Sequence, residues 1–424
     1  MGHFPEDYPI DVQKLYHLWI ADVVVSSTQN QIGKKRSIED IADNYLNQLV
    51  QKGMIQVIGK DADGRIDTCS LHDLMRDKCI EMTRDENFLQ IVNINELQKA
   101  STDARTDRSR RVTMYVGKED SHSVLKSLSG KLSCLRSLMF ISTCTEQDRS
   151  EDSCEWIRTI CEKFMLLRAL DFEGGGTHIT ELPSAIRNLK SLLILDLRVS
   201  GVVIKLPNVL SEMISLCYLY FPGRHLSQEG YSTQGYKTED GTLLILDKLN
   251  HLERVDDVDL DEVDGKGLLE LAKSSSLRIL HVDANRYPST YLPIQVDMFP
   301  CNLVELGFWY CKFQEDPMPV LEKLPKLRNL QLRICYKGKK ISCSKNAFPE
   351  LTFLVLDGLF SLQVWDVEDG GFPKFQKMEI YNCPLKKIPA VLPPKIIIGC
   401  SNNLRQVVDD FRQQGKASTH TQDI

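Results

Sequence analysis

The residues best placed to do chemistry are His72 and Asp73, within TCSLHDLMRDKCI at 68–80. The pair falls just inside a predicted helix, at an end where unpaired backbone N–H groups and the helix dipole favour an anion. An imidazole there can donate to a phosphate oxygen. The same stretch also suits capping, with Ser70 as N-cap and Asp73 completing a capping box. The two roles are compatible, and neither makes or breaks a covalent bond.

Other chemical patterns fail on inspection. IGKKRS at 32–37 resembles the end of a phosphate-binding loop, but Thr28 stands where its first glycine belongs and Lys35 where a magnesium-holding hydroxyl belongs. DADGRIDTCS is no calcium loop, because aligning Gly64 puts Gly59 and Ser70 at the first and last ligand positions. GYSTQG is one residue too long for a nucleophile elbow, and no HExxH occurs. The chain reads as a non-enzyme, with no catalytic or metal-binding residues.

Stepping outward from His72, residues 1–90 form a small helical module. Val12, Leu15, Leu18, Trp19 and Val23 keep helical spacing, as do Ile38, Ile41, Ala42, Tyr45, Leu46 and Leu49, a run capped by Ser37 and ended by Gly53. MIQVI, the turn DADG and RIDTCS then read as a β-hairpin. Helix, helix, hairpin, helix is a winged-helix (α+β) order. The helix that would enter a DNA groove carries Glu39, Asp40 and Asp43, which phosphates would repel.

Residues 132–402 are a repeat array. L-x-x-L-x-L and close variants recur at Leu135, Leu167, Leu192, Leu216, Leu252, Leu277, Leu303, Leu327, Leu351 and Phe375, spaced 32, 25, 24, 36, 25, 26, 24, 24 and 24 residues apart. That period, of about 20 to 29 residues, predicts an α/β solenoid, a leucine-rich-repeat horseshoe in which each motif is one short parallel strand. The leucines stack inward and the intervening residues face the concave side. Cys311, Cys335 and Cys383 sit at the repeat's Asn/Cys slot and are expected to be buried turn residues.

On the concave side Asp283, Trp309, Arg333, Asp357 and Tyr381 form one column, with Tyr220 and Phe353 also expected to point outward. Large aromatics and arginine are typical anchors for a protein partner. The two longer steps imply insertions near 142–160 and 223–247, and DDVDLDEVDG at 256–265 reads as a solvated acidic turn. Residues 91–131 read as a basic linker and N-terminal cap to the repeats. They carry Arg105, Arg108, Arg110 and Arg111 ahead of a first strand, Val112–Val116, and these arginines suit docking between the two modules. Residues 403–424 read as a capping helix followed by a structureless polar tail.

The 424 residues, 42% hydrophobic, can bury a sizeable core, and a net charge of −6 gives no general attraction to nucleic acid or anionic membrane. Thirteen cysteines without a CxxC pair fit a reducing compartment rather than a disulfide scaffold or zinc site. No apolar run is long enough for a membrane span.

HFPEDYPIDVQKLYHLWIADVVV, IEDIADNYLNQLVQKGMIQ, SLHDLMRDKCIEM and the leucine-rich array together resemble the plant intracellular nucleotide-binding leucine-rich-repeat disease-resistance receptors, coiled-coil branch. Leu71, His72 and Asp73 match that family's Met-His-Asp motif, with leucine in the methionine place. The resemblance implies that His72 contacts the ADP β-phosphate, that Asp73 orients the loop, and that the repeats sense a pathogen effector or a guarded host protein. It also implies autoinhibition through contact with the receptor's own nucleotide-binding domain, and a cytoplasmic protein, with nuclear or membrane-peripheral pools as alternatives. The coiled coil, P-loop and magnesium-binding carboxylates are expected to precede residue 1. This chain alone is therefore expected to bind no cofactor tightly, ADP or ATP entering only in a full-length context. The competing readings are a repeat adaptor without nucleotide switching and a winged-helix DNA-binding regulator.

Overall fold

The computed structural model describes residues 4–21, 38–60, 64–85, 89–93, 109–116, 132–142, 154–172, 181–198, 206–221, 251–259, 276–283, 299–386, 395–399 and 420–422, largely without gaps, and a few isolated positions between them. The chain divides into two compact units, Met1–Gln228 and Glu229–Ile424.

The first unit opens with β1 (Ile10–Asp11), α1 (Val12–Ala21), α2 (Ile38–Gln51), β2 (Ile55–Lys60), β3 (Ile66–Leu71) and α3 (Asp73–Asp85). The hairpin β2–β3 stands where the sequence placed it, and β1 adds a third antiparallel strand against β3. Helix α1 starts at Asp11, whose Oδ1 accepts the N–H groups of Gln13 and Lys14 at 2.7 and 3.1 Å. Helix α2 stops at Gly53 (φ +68°), with the Met54 N–H on the Leu49 carbonyl and the Gly53 N–H on that of Val50. This is a Schellman closure that needs a left-handed residue. Ser37 lies outside the described residues. Val12, Leu15, Ala42, Leu46, Ile55, Ile66 and Cys69 fill the core of this module.

The start of α3 differs from the expectation. Ser70 belongs to β3, and the His72 carbonyl accepts the N–H groups of Met75 and Arg76 at 2.8 and 2.9 Å, so His72 itself is the N-cap. Strand pairing with β2 holds the backbone extended through Leu71 and so delays the helix by two residues.

The rest of the first unit is a parallel ladder of β4 (Leu89–Asn93), β5 (Arg111–Val116), β6 (Ser137–Ser142), β7 (Ala169–Asp171), β8 (Ile194–Asp196) and β9 (Tyr218–Tyr220). Leu138, Leu170, Leu195 and Leu219 stand in register on its inner side. Strand β4 starts this ladder ahead of the first leucine motif, because LQIVN alternates like a strand without repeating the motif. Part of the expected 142–160 insertion is helical: α4 (Cys154–Lys163) buries Trp156 against Phe140 and Phe172, with ring centroids 5.0 and 5.6 Å away. The 223–247 insertion lies outside the described residues.

The second unit stacks β10 (Arg254–Asp259), β11 (Ile279–Asp283), β12 (Glu305–Trp309), β13 (Asn329–Arg333), β15 (Phe353–Asp357), β17 (Lys377–Tyr381), β18 (Lys395–Gly399) and β19 (His420–Gln422) in parallel. On the return side β14 (Lys340–Cys343) pairs with β16 (Val364–Val367). Leu280, Leu306, Leu330, Leu354 and Met378 form one buried row. Every L-x-x-L-x-L motif thus has its strand. The tail expected to lack structure contributes β19, since ladder hydrogen bonds need no apolar side chain. The capping helix expected near 404–411 falls outside the described residues.

Cys311, Cys335 and Cys383 are buried, as their slot predicts, and the Cys311 and Cys383 thiols donate to carbonyls of the preceding turn. Burial pushes the Cys383 thiol up to about 12, which removes it from thiolate chemistry. One residue beyond each of β12, β13, β15 and β17 the chain turns through the left-handed region, at Tyr310 (φ +59°), Ile334 (+50°), Gly358 (+64°) and Asn382 (+52°).

Candidate functional site

Three places carry the predicted functional residues. At the β3–α3 junction Leu71 is buried and anchors the loop, while His72 and Asp73 are exposed. The imidazole is thus presented to solvent at the open end of a 13-residue helix. Farther along α3, Arg76 donates from Nε to the Phe4 carbonyl at 2.8 Å and hydrogen-bonds the Tyr115 hydroxyl of β5.

The second place is one that sequence reasoning missed. The outward residues of β6 to β9, expected to face open space, are covered by the winged-helix module. Met139 and Ile141 of β6 belong to that module's own core cluster. Farther on, Ile20 and Ala21 of α1 pack with Ala169, Ile194, Tyr218 and Tyr220. Polar contacts fix the register of α1. Lys14 Nζ lies 2.9 Å from Asp171 Oδ2, with both side chains under a tenth exposed. One turn on, His17 Nε2 and the Tyr220 hydroxyl share a 2.7 Å hydrogen bond, and the Tyr218 ring lies 4.7 Å from the imidazole centroid. Arg168 donates to the Ala21 carbonyl at 3.4 Å, so the array supplies the cation that the last turn of α1 lacks.

Tyr220 is therefore no open partner-binding residue; it is 1% exposed because its partner is His17 of the same chain. Arg198, held bidentate on Asp196, covers its other side with the guanidinium 4.5 Å from the ring centroid. The sequence did carry the signal. Outward positions in these strands include the apolar Met139, Ile141, Ala169, Ile194, Tyr218 and Tyr220 beside Asp171 and Asp196, whereas later strands show Glu305, Asn329, Gln331, Arg333 and Glu379. Apolar residues on a solvent-side column announce a cover. Of the arginine cluster, Arg110 is exposed and Arg111 is a buried member of β5, while Arg105 and Arg108 lie outside the described residues.

The third place is the outward face of β10 to β17. Asp283, Trp309, Arg333, Asp357 and Tyr381 align in register as one partly exposed column, as expected. Phe353 departs from expectation and is buried, with Lys377 Nζ 5.1 Å above its ring. Asp256 also departs, being 5% exposed rather than solvated, because β10 turns its side chain into an ion network. Arg254 Nε lies 2.8 Å from Asp256 Oδ2, and His281 bridges Asp256 Oδ1 and Glu305 Oε1, each at 3.0 Å. An imidazole facing carboxylates on both sides can donate to both only as the cation. Burial pulls His281 down, but Asp256 and Glu305 outweigh it and push it up to about 9. Burial likewise pushes Asp256 up, and Arg254 and His281 overcome that to hold its carboxyl well below the usual range. Trp309 meets the His281 ring edge-on at 4.9 Å and lies over Gly307, where any Cβ would run into the indole.

The network predicts a pH dependence. The stability His281 adds is complete below the unfolded-state value of about 6.5 and is lost as pH rises through about 9. Urea unfolding should therefore lose on the order of 3 kcal/mol between these limits, and His281→Gln should flatten the slope. An unchanged slope in the variant would contradict the network.

Comparison with known proteins places these features in context. Residues 4–78 match the family described as disease resistance protein winged helix domain. Over 92% of its length the chain is 33% identical to the putative disease resistance protein At1g59780 and 31% identical to the disease resistance protein RPP8, both of Arabidopsis thaliana. It covers 46% and 48% of them, so it spans about half the length of the curated relatives it matches. Among solved structures, TLR13 in its ssRNA13 complex aligns at TM-score 0.38 with 14% identity, covering 73% of this chain and 54% of that one. The plant peptide hormone receptor RGFR1 with RGF2 aligns at TM-score 0.33 with 11% identity, covering 76% and 68%.

Proposed function

We propose that this chain, whose residues 4–78 match the disease resistance winged helix domain and which is similar over 92% of its length to plant disease resistance proteins, is the sensing and restraining half of such a receptor. The observation that supports this best is α1 seated on β7 to β9 through the buried Lys14–Asp171 pair and the His17–Tyr220 hydrogen bond. A winged-helix module gripped in this way cannot reorient without breaking both. A pathogen effector or guarded host protein that binds better to the released form then shifts the population toward it. In the full receptor, exposed His72 meets the β-phosphate of ADP held by the nucleotide-binding domain, with Leu71 anchoring and Asp73 orienting the loop.

Built into the matching half of a full-length relative and expressed in leaf tissue, the wild-type segment should leave the defence response silent, whereas Lys14→Glu should trigger it without pathogen. Equal responses would refute the restraint. For ADP, His72 offers one donor where tight binding needs several, so isothermal titration of this chain should show no micromolar affinity. A micromolar isotherm would overturn that assignment. The reading as a cytoplasmic protein that engages proteins rather than nucleic acid is consistent with two features. No helix among the described residues is long and apolar enough to cross a membrane, and Asp43 of α2 is already hydrogen-bonded to the Tyr16 hydroxyl.

A further inference from the structure

Among the described side chains on the outward face of the second unit, three cations are held within the face itself. Arg254 Nε lies 2.8 Å from Asp256 Oδ2, His281 lies 3.0 Å from both Asp256 and Glu305, and Lys377 Nζ lies 2.8 Å from Glu379 Oε1. These three side chains are only 9 to 13% exposed.

Arg333 differs on both counts. Its side chain is 35% exposed, its Nη1 stands 3.6 Å from Asp357 Oδ2 and its Nη2 3.5 Å from Gln331 Oε1, each too long for a good hydrogen bond. Its Nε–H is enclosed and has no acceptor. Asp357 is drawn the other way, because Asn382 Nδ2 lies 3.2 Å from its Oδ1. A guanidinium presents its donors as a planar fork that matches both oxygens of a carboxylate, and an enclosed donor left unmatched costs free energy. Since neither present contact is tight, the fork can turn to an incoming carboxylate while giving up little.

The surroundings narrow the ligand further. Trp309 stands in register beside Arg333 on the neighbouring strand, about 4.8 Å away along the ladder. Its indole is fixed over Gly307 and against His281, so an aromatic surface is ready next to the fork. Asp283 and Asp357 share the column and would repel a run of acidic residues or a phosphate.

We infer that Arg333 is the recognition residue of this face, and that it takes the carboxylate of a single aspartate or glutamate side chain on a partner protein, whose adjoining apolar residue rests on Trp309. The inference rests on the reading of the outward column as a partner surface, and adds which residue grips the partner and by what chemistry.

The test uses random peptides displayed on phage and panned against the whole chain, with the most enriched peptide synthesised and its Kd measured. Enriched peptides should share one acidic residue next to an aliphatic or aromatic one. Arg333→Gln should weaken binding by about tenfold or more, and so should changing the acidic residue of the peptide to its amide. Because both changes break one contact, the two together should cost little more than either alone. Arg333→Lys keeps the charge without the fork and should fall between wild type and Arg333→Gln. No enrichment, enriched peptides without a shared acid, an unchanged Kd in Arg333→Gln, or fully additive effects would each overturn the inference. Binding lost in Trp309→Ala but intact in Arg333→Gln removes the carboxylate contact and keeps the partner surface. Binding indifferent to both variants removes both.

Discussion

Lys14→Glu is expected to lower the stability of the first unit by about 3 to 5 kcal/mol, the range for breaking one partner of a buried ion pair. The size follows from burial rather than from attraction. Lys14 and Asp171 are 2.9 Å apart with side chains 6% and 8% exposed, so removing the ammonium leaves a carboxylate in a dry site and adds a second one beside it. Helix α1 then has to leave the strands or draw water beneath it. The exchange Lys14→Glu with Asp171→Lys restores opposite charges and should recover a good part of the loss. Chemical unfolding of the single and double variants measures this directly. A double variant no more stable than the sum of the two singles would show that the charges do not interact.

Leu306→Ala should cost about 2 to 5 kcal/mol, comparable to the largest core truncations. Leu306 is fully buried and stands in register between Leu280 and Leu330. Its neighbours belong to a parallel ladder whose strand spacing is fixed by backbone hydrogen bonds, so they cannot close the gap. The effect should appear in urea unfolding of the second unit as a lower midpoint with little change of slope. Truncating Phe360, which is 67% exposed, should change stability by only a few tenths of a kcal/mol. Similar costs at both positions would mean that the buried row containing Leu306 is wrongly assigned.

Much of the fold was legible because leucines at a fixed interval determine which residues stack. The strands from Ser137 to Tyr381, the hairpin Ile55–Leu71 and the Gly53 helix end all follow from local periodicity or turn chemistry. What escaped depends on partners distant in sequence. Tyr220 looked like an exposed anchor because the apolar column around it announces a cover without identifying His17, 203 positions earlier, as part of it. Asp256 looked solvated within an acidic run because Arg254 and His281 become its partners only once the strands align. Ser70 looked like a cap because pairing with β2, which keeps it in a strand, is not a property of its own neighbourhood. In the second unit Asp283, Trp309, Arg333, Asp357 and Tyr381 align as the repeat spacing implies, while Phe353 was misread as open, its ring being shielded by Lys377 from the next strand.

Amide hydrogen exchange across Val12–Ala21 and Tyr218–Tyr220, in the wild-type chain and in Lys14→Glu, tests the grip of the array on α1 most directly. The two segments, far apart in sequence, should both be protected in the wild type and should both lose protection in the variant. A wild-type α1 that exchanges freely while Tyr218–Tyr220 stays protected, or a variant that leaves both unchanged, would contradict it.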